Sequence, residues 1–391
     1  MNPDATSEIN TQTSRAFRIH IRPALSDFRK QSDTELPSIG QTAAAGPRVA
    51  LVPLERGLAE AGELFAQHPS AEMSAGWFRS LAATTLARGE SAVLALLFTG
   101  TVARAGLPLV RTPAGTLRGL TALYTTRFGV AARTASDAAQ LGRGMGGAVT
   151  GVLRLDCWDA DCAASNAFLE GLKSSGLAVA HYRHFANWRQ TVEDFPSYWA
   201  SRPSRLRETV RRKNAKARGM GLEFLCVESP GDIAAETPRY LCLYADCGKV
   251  AEPDPDFLPT MMRNLGAEGS LRLGFLIVGG ETAAAQIWLV RHGRATIFKL
   301  AHHPRFIGLS AGTLLTHRMF THLLSRDGIT AVDFGRGNDG YKRDWLDACG
   351  FREGIIACSP TSVVGLYHFA TNILPTWAGQ ILRRSRPPLP Q

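Results

Sequence analysis

The chain reads as an α/β (α+β) protein of mixed sheet, built as two similar units in tandem, the C-terminal one better preserved. Three observations predict this. Short apolar runs bounded by turn residues alternate with amphipathic helical stretches from about Arg48 to about residue 360. Leu271–Val278 and Thr282–Val290 flank Gly279-Gly280, the pattern of a tight antiparallel hairpin. At 391 residues the chain exceeds one ordinary core, so two units are expected.

Taken in order, residues 1–47 are rich in Ser, Thr and Ala and short on periodic apolar positions, and are expected to be a disordered or loosely attached, flexible arm. A first unit follows over 48–200. It has strands at Val49–Val52, Ala92–Leu97, Thr99–Ala105, Leu117–Leu123, Gly129–Ala132, Gly151–Leu155 and Ala178–Tyr182. Helices are predicted at Gly57–Ala66, Ser74–Ala87, Ala135–Gly147 and Asn166–Ser175, the last stopped by Gly176. The second unit, 201–360, opens with a basic helix over Pro203–Arg218, which Gly219 and Gly221 stop. Next come a strand at Leu222–Val227, helices over Asp232–Asp246 and Phe257–Leu265, and three antiparallel strands ending at Ala301. A helix at Ser310–Ser325, a strand at Ile329–Phe334, a short helix from Tyr341 closing at Gly350-Phe351, and a last strand complete it. Residues 361–391 are expected to form a helix broken at Pro375 and a basic, Pro-rich tail.

Composition narrows the classes. The hydrophobic fraction of 45% and charged fraction of 20% are those of a globular protein. The polar N-terminus lacks the apolar core of a secretory signal, and the most apolar window, Ala92–Ala103, is too short to span a bilayer. It reads as a buried strand pair. Seven cysteines form no Cys-x-x-Cys pair, which points to reduced thiols, a cytoplasmic setting and no metal site. The net charge of +10 is concentrated between Arg202 and Arg218, where eight basic residues face the single acid Glu208. Such a helix can attract RNA, acidic lipid or a phosphorylated ligand, or simply present a solvated face.

Two stretches carry candidate chemistry. Asp333-Phe-Gly-Arg-Gly-Asn-Asp-Gly-Tyr-Lys-Arg-Asp-Trp345 places a glycine-rich bend between a buried strand and a helix start, where backbone can approach a reacting group. Arg305–Thr313 gathers free backbone N–H groups at the start of the next long helix, with Gly308 and Gly312 permitting close approach. Anion binding is expected there.

The second unit resembles the acyltransferases of the GNAT superfamily, and within it the CelD-like and Fem-type branch. The resemblance rests on Ala283–Trp288 after the Gly-Gly hairpin, on Arg305–Gly312, on Asp333–Gly337 with Tyr341-Lys342, and on Gly350-Phe351. It is good over about residues 200–360 and fainter over 50–200, so it implies two GNAT-like domains, the first degenerate. It implies acyl-CoA, acetyl-CoA in the simplest case, as co-substrate. Arg305, Gly308, Ser310, Gly312 and Thr313 would hold its diphosphate, and splayed strands would take its pantetheine amides. The acceptor implied is an amine or hydroxyl of a small molecule or saccharide precursor, possibly in cell-surface polysaccharide assembly, with an interfacial C-terminal helix as a means of membrane contact. The place of the usual tyrosine acid falls on Trp345 or Leu346, neither of which can donate a proton. Tyr341 is the substitute, and Lys342 matches a lysine that meets developing charge. Asp333 would act as base or orient Lys342, and Asp339 would serve as a second carboxylate or cap the helix. One of His302 and His303 can face the cleft, since neighbours on a strand point oppositely. The same resemblance leaves open a Fem-like transferase using aminoacyl-tRNA, favoured by the basic helix, and a non-catalytic scaffold with a degenerate site.

Overall fold

A computed structural model describes residues 46–374. The expected N-terminal arm, apart from Gly46 and Pro47, and the expected tail beyond residue 374 lie outside them.

The first half contributes β1 (Arg48–Pro53), α1 (Leu54–Ala66), α2 (Ala75–Thr84), β2 (Ser91–Thr99), β3 (Val102–Arg111), β4 (Leu117–Gly119), β5 (Ala131–Ala132), α3 (Ala135–Met145), β6 (Val152–Trp158), α4 (Ala163–Ser174) and β7 (Ala178–Thr191). A 3-10 turn at Ala71–Met73 precedes α2. The second half adds α5 (Phe195–Ser201), α6 (Ser204–Arg218), β8 (Leu222–Val227), α7 (Pro230–Asp246), α8 (Phe257–Ala267), β9 (Leu271–Val278), β10 (Glu281–Arg291) and β11 (Arg294–His302). A 3-10 segment, Pro304–Leu309, leads into α9 (Ala311–Arg326), followed by β12 (Ala331–Arg336), α10 (Lys342–Trp345), β13 (Ala348–Cys358) and α11 (Val363–His368).

All strands join one mixed sheet in the order β1-β2-β3-β4-β6-β13-β7-β12-β11-β10-β9-β8, with β5 paired to β3. The order is a palindrome of two similar units. Each unit is an antiparallel run closed by one parallel pair, β4 with β6 and β11 with β12. A parallel pair needs a crossover, and α3 and α9 supply it. The last strand of each unit is exchanged. β13 lies between β6 and β7, and β7 pairs with both β13 and β12. The sheet therefore runs unbroken from the strands of the first half to those of the second, and 46–374 fall in one compact unit.

The window Ala92–Ala103 is the β2–β3 hairpin, and Leu94–Leu97 are buried in it. Packing between the halves is aromatic. Trp77 on α2 meets Phe257 on α8 edge-on at 5.5 Å, and Tyr124 stacks on Phe257 at 4.0 Å.

Two expectations need correction. The helix after Tyr341 is a single turn, and Gly350-Phe351 does not close it but lies inside β13. An edge-free central position in the sheet outweighs helix propensity there. β7 runs to Thr191, well past Tyr182, because its far half pairs with β12 and β13 along its length. At the other end, α11 exposes Val363, Val364, Leu366 and Tyr367. Among the described residues no helix is long and apolar enough to cross a membrane.

Candidate active-site cleft

β11 and β12 are bonded only from Arg294↔Ala331 to Thr296↔Asp333. Beyond that point they part, and a cleft of about 760 Å³ opens between Ile297–Leu300 on one strand and Phe334–Arg336 on the other. Parting strands leave N–H and C=O groups that seek partners. The start of α9, Ser310 to Thr313, closes the wide end.

Ser310 adopts a left-handed conformation (φ 51°) and gives α9 no side-chain cap. The first N–H groups of the helix are thus left to a ligand or solvent at its positive end. Below them the buried Gln286 donates to Thr316 Oγ1 (2.6 Å) and accepts from Trp288 Nε1 (2.7 Å), fixing α9 on β10. Gly312 lets the helix lie close to β11, since a Cβ there would stand 3.2 Å from Leu300. Ser310, Gly312 and Thr313 line the cleft. Arg305 and Gly308 do not. The Arg305 guanidinium is bound to Glu281 on the surface (2.7 Å), and the Gly308 carbonyl accepts from Lys213.

The bend after β12 depends on Gly335 and Gly337, at φ 62° and 105°, which other residues rarely adopt. Lys342 is 3% exposed and closes it from within. Its ammonium donates to the carbonyls of Arg336 (2.6 Å) and Gly337 (3.4 Å) and pairs with Asp339 (3.2 Å). Lys342 and Asp339 thus border the cleft as a brace for the bend. Tyr341 sits on the rim, half exposed, its ring against Phe334. Desolvation, with the Asp339 carboxylate adding to it, pushes the phenol up to about 12, so it stays protonated. Trp345, one of the two positions (with Leu346) to which the resemblance assigns the acid, borders the cleft but stacks on Phe320, its carbonyl accepting from Tyr198 and Arg202.

Asp333 is not in the cleft. Its carboxylate is 2% exposed and accepts from Arg352, Arg127, Asn187 and the Gly335 N–H. Burial alone would raise its pKa, but these donors hold it below the usual carboxylate range. It is a fixed anion, with no capacity left for a proton in transit. Of the two histidines, His302 lines the cleft, while His303 turns away and accepts from the Arg305 N–H at 3.2 Å.

The first half contributes groups that sequence reasoning missed. Thr126 lines the cleft, and its hydroxyl donates to Glu72 at 2.8 Å. Glu72 is 1% exposed and also accepts from the Thr126 and Arg127 N–H groups. Desolvation raises its pKa to about 7 against these hydrogen bonds. No local pattern marks this glutamate, and only burial makes it unusual. Tyr124, Tyr244, Glu252 and Lys299 form the facing wall, with the Lys299 ammonium bound to Glu252 and set over the Tyr124 ring. The basic stretch divides its labour. Arg202 is buried against Trp345 and Asp347, whereas Arg205, Arg211 and Arg212 on α6 are exposed. Among the described residues no group of three or more His, Cys, Asp or Glu is placed to hold a metal.

This arrangement can be set beside known proteins. Residues 204–343 match the acetyltransferase (GNAT) domain. The match holds β8–β12, the parting strands and α9. Among solved structures the chain is similar to FemX, with a TM-score of 0.57 at 9% identity over 83% of this chain and 99% of that one. It is also similar to a conserved protein of unknown function from Bacteroides thetaiotaomicron, with a TM-score of 0.52 at 12% identity over 77% and 97%. Such identities show the fold alone. No curated protein matches the chain.

Proposed function

We propose that the cleft is the active site of an acyltransferase that moves an acyl group, acetyl in the simplest case, from acyl-CoA to an amine or hydroxyl. The observation that carries this reading is the wedge between β11 and β12 with an uncapped helix start at its mouth. Backbone N–H groups of Ala311, Gly312 and Thr313 would hold the donor's diphosphate, and the unpaired edge of β11 its pantetheine amides. The donor supplies a thioester carbonyl, open to nucleophilic attack. The chain's own residues handle the protons. Thr126 would take the proton from the attacking acceptor and pass its own to Glu72, and Tyr341 would protonate the departing thiolate. Asp333 and Lys342 keep the bend in place. Tyr124, Tyr244 and Lys299 offer a polar, aromatic wall of the kind that suits a small amine or a saccharide precursor. The reading places the reaction in the cytoplasm, and a role in cell-surface polysaccharide assembly fits it.

A second reading, transfer from aminoacyl-tRNA, draws support from the exposed basic face of α6, whose Lys213 reaches the loop before α9. One titration separates the readings. Acetyl-CoA at a hundredfold excess over its Kd should stabilise the protein by about 2.7 kcal/mol, and a screen of amines and sugars should release thiol. Binding of tRNA without any response to CoA esters would favour the second reading. Response to neither would leave a non-catalytic scaffold.

A further inference from the structure

A second cavity, of about 770 Å³, lies on the other side of the closed end of the wedge. Thr126 lines the acyl cleft and its neighbour Arg127 lines this one. Between them stands a buried square of two arginines and two aspartates. Arg127 binds Asp159 (2.6 Å) and Asp333 (3.3 Å), and Arg352 binds Asp159 (2.6 Å) and Asp333 (3.1 Å). The square is neutral, its two guanidinium groups each paired with both carboxylates. What faces the cavity beyond it is an excess of donors.

Arg294, the first residue of β11, has no hydrogen-bond or ion-pair partner among the described residues, yet it is partly buried at the wall of this cavity. Burial, and next to it the charge of Arg127, draw its pKa down, which marks a cation whose surroundings do not compensate it. His68 accepts from the Ser70 N–H through Nδ1 (3.2 Å), so its Nε2 carries the hydrogen. Burial and Arg127 hold this ring neutral, at about 4. Arg189 lines the same cavity, paired with the exposed Asp161. Finally, α4 begins here. Cys162 gives it no side-chain cap, and Cys162 and Ala164 line the wall, so the first N–H groups of a 12-residue helix open toward the same space.

We propose that this second cavity is a binding site for a small oxyanionic molecule, a phosphate monoester or a carboxylate, held by Arg294, Arg189, His68 and the start of α4. Two oxygens of a phosphate or a carboxylate would give Arg294 the paired hydrogen bonds it lacks. The volume exceeds what an inorganic ion needs and falls in the range of metabolite pockets. The inference stands apart from the acyl-donor reading, since it uses no residue that the donor would touch. Its ligand would report to the acyl cleft through Arg127, which shares the square with Asp333 beneath the β12 bend.

The test is calorimetric titration and thermal shift of the full chain with inorganic phosphate, glucose 6-phosphate and citrate, with glucose as the uncharged control. At least one of the anions should bind and raise Tm, and glucose should not. Glucose 6-phosphate and citrate distinguish a phosphate from a carboxylate ligand. Arg294→Gln and Arg189→Gln should each weaken binding at least tenfold, while Arg263→Gln, on the exposed side of α8, should bind as the wild type does. Because Arg294 loses no partner, Arg294→Gln should be folded by circular dichroism, with an unliganded Tm equal to or above the wild type. Absence of binding by all three anions would overturn the proposal. So would binding that survives both arginine substitutions, or an Arg294→Gln protein with a lowered unliganded Tm.

Discussion

Glu72 and Tyr341 are the two residues whose environment bears most directly on chemistry. Glu72 accepts three hydrogen bonds and makes no ion pair among the described residues, so burial outweighs them and lifts its pKa from 4.5 to about 7. A raised carboxyl pKa in the folded state means stability that is complete below the unfolded value and lost as pH rises through the folded one. Wild type should therefore lose on the order of 3 kcal/mol relative to Glu72→Gln between about pH 4.5 and pH 7. Chemical denaturation of both proteins across that range checks this, and parallel curves would disprove it. For Tyr341, Tyr341→Phe keeps the ring on Phe334 and removes only the proton. Turnover should fall about 10²-fold with KM and Tm unchanged, as measured by thiol release, whereas full activity would remove Tyr341 from the mechanism. Tyr341 was legible through the family resemblance, as the substitute for the acid missing at Trp345 and Leu346. Glu72 was not, because nothing around Ala71–Met73 announces that Thr126 and Arg127 will cover it.

At the level of elements, the site is made by where two of them stop pairing. β11 and β12 separate after Thr296 because Asp333 draws the next turn of chain inward, accepting from the Gly335 N–H at 2.7 Å. Lys342 then ties the bend to α10 through two carbonyls. Lys342→Met should lower stability by about 2 kcal/mol, since the Arg336 and Gly337 carbonyls lose their charged donor. Thermal or urea unfolding measures this, and an unchanged midpoint would mean the brace is replaceable by water. On α9, Gly312→Val would set a branched side chain against Leu300, 3.2 Å from the first added atom. The helix start should move off β11, and acetyl-CoA affinity should drop about tenfold, a change of about 1.4 kcal/mol. The glycines of Arg305–Thr313 and the helix that follows lead to the expectation of an anion site there. Which of its residues face the cleft was not legible, because Arg305 is drawn away by Glu281 at the start of β10.

For the whole molecule, strand exchange has an energetic consequence. β13 supplies a central strand between β6 and β7, and Arg352 on it joins the buried square with Asp159 from one half and Asp333 from the other. Neither half can complete its sheet alone. Calorimetry should show a single cooperative transition for residues 46–374, and a chain cut near residue 200 should give no separately folded halves. Arg352→Met should cost roughly 3–5 kcal/mol, because it leaves buried carboxylates short of a cation. Two resolved transitions would refute the coupling. The sequence by itself determined most strands and helices and the two glycine-bearing stretches that border the cleft, while the repeat of one α/β unit was only suggested by it. Those are set by local periodicity and by glycines near one another in the chain. Only the tertiary structure decided that β13 crosses to the first half, that Asp333 is a buried structural anion, that Thr126 lines the cleft with the buried Glu72 behind it, and that Arg294 lines the second cavity. Pairing across hundreds of residues and withdrawal from water depend on the finished packing, and a one-dimensional pattern carries neither.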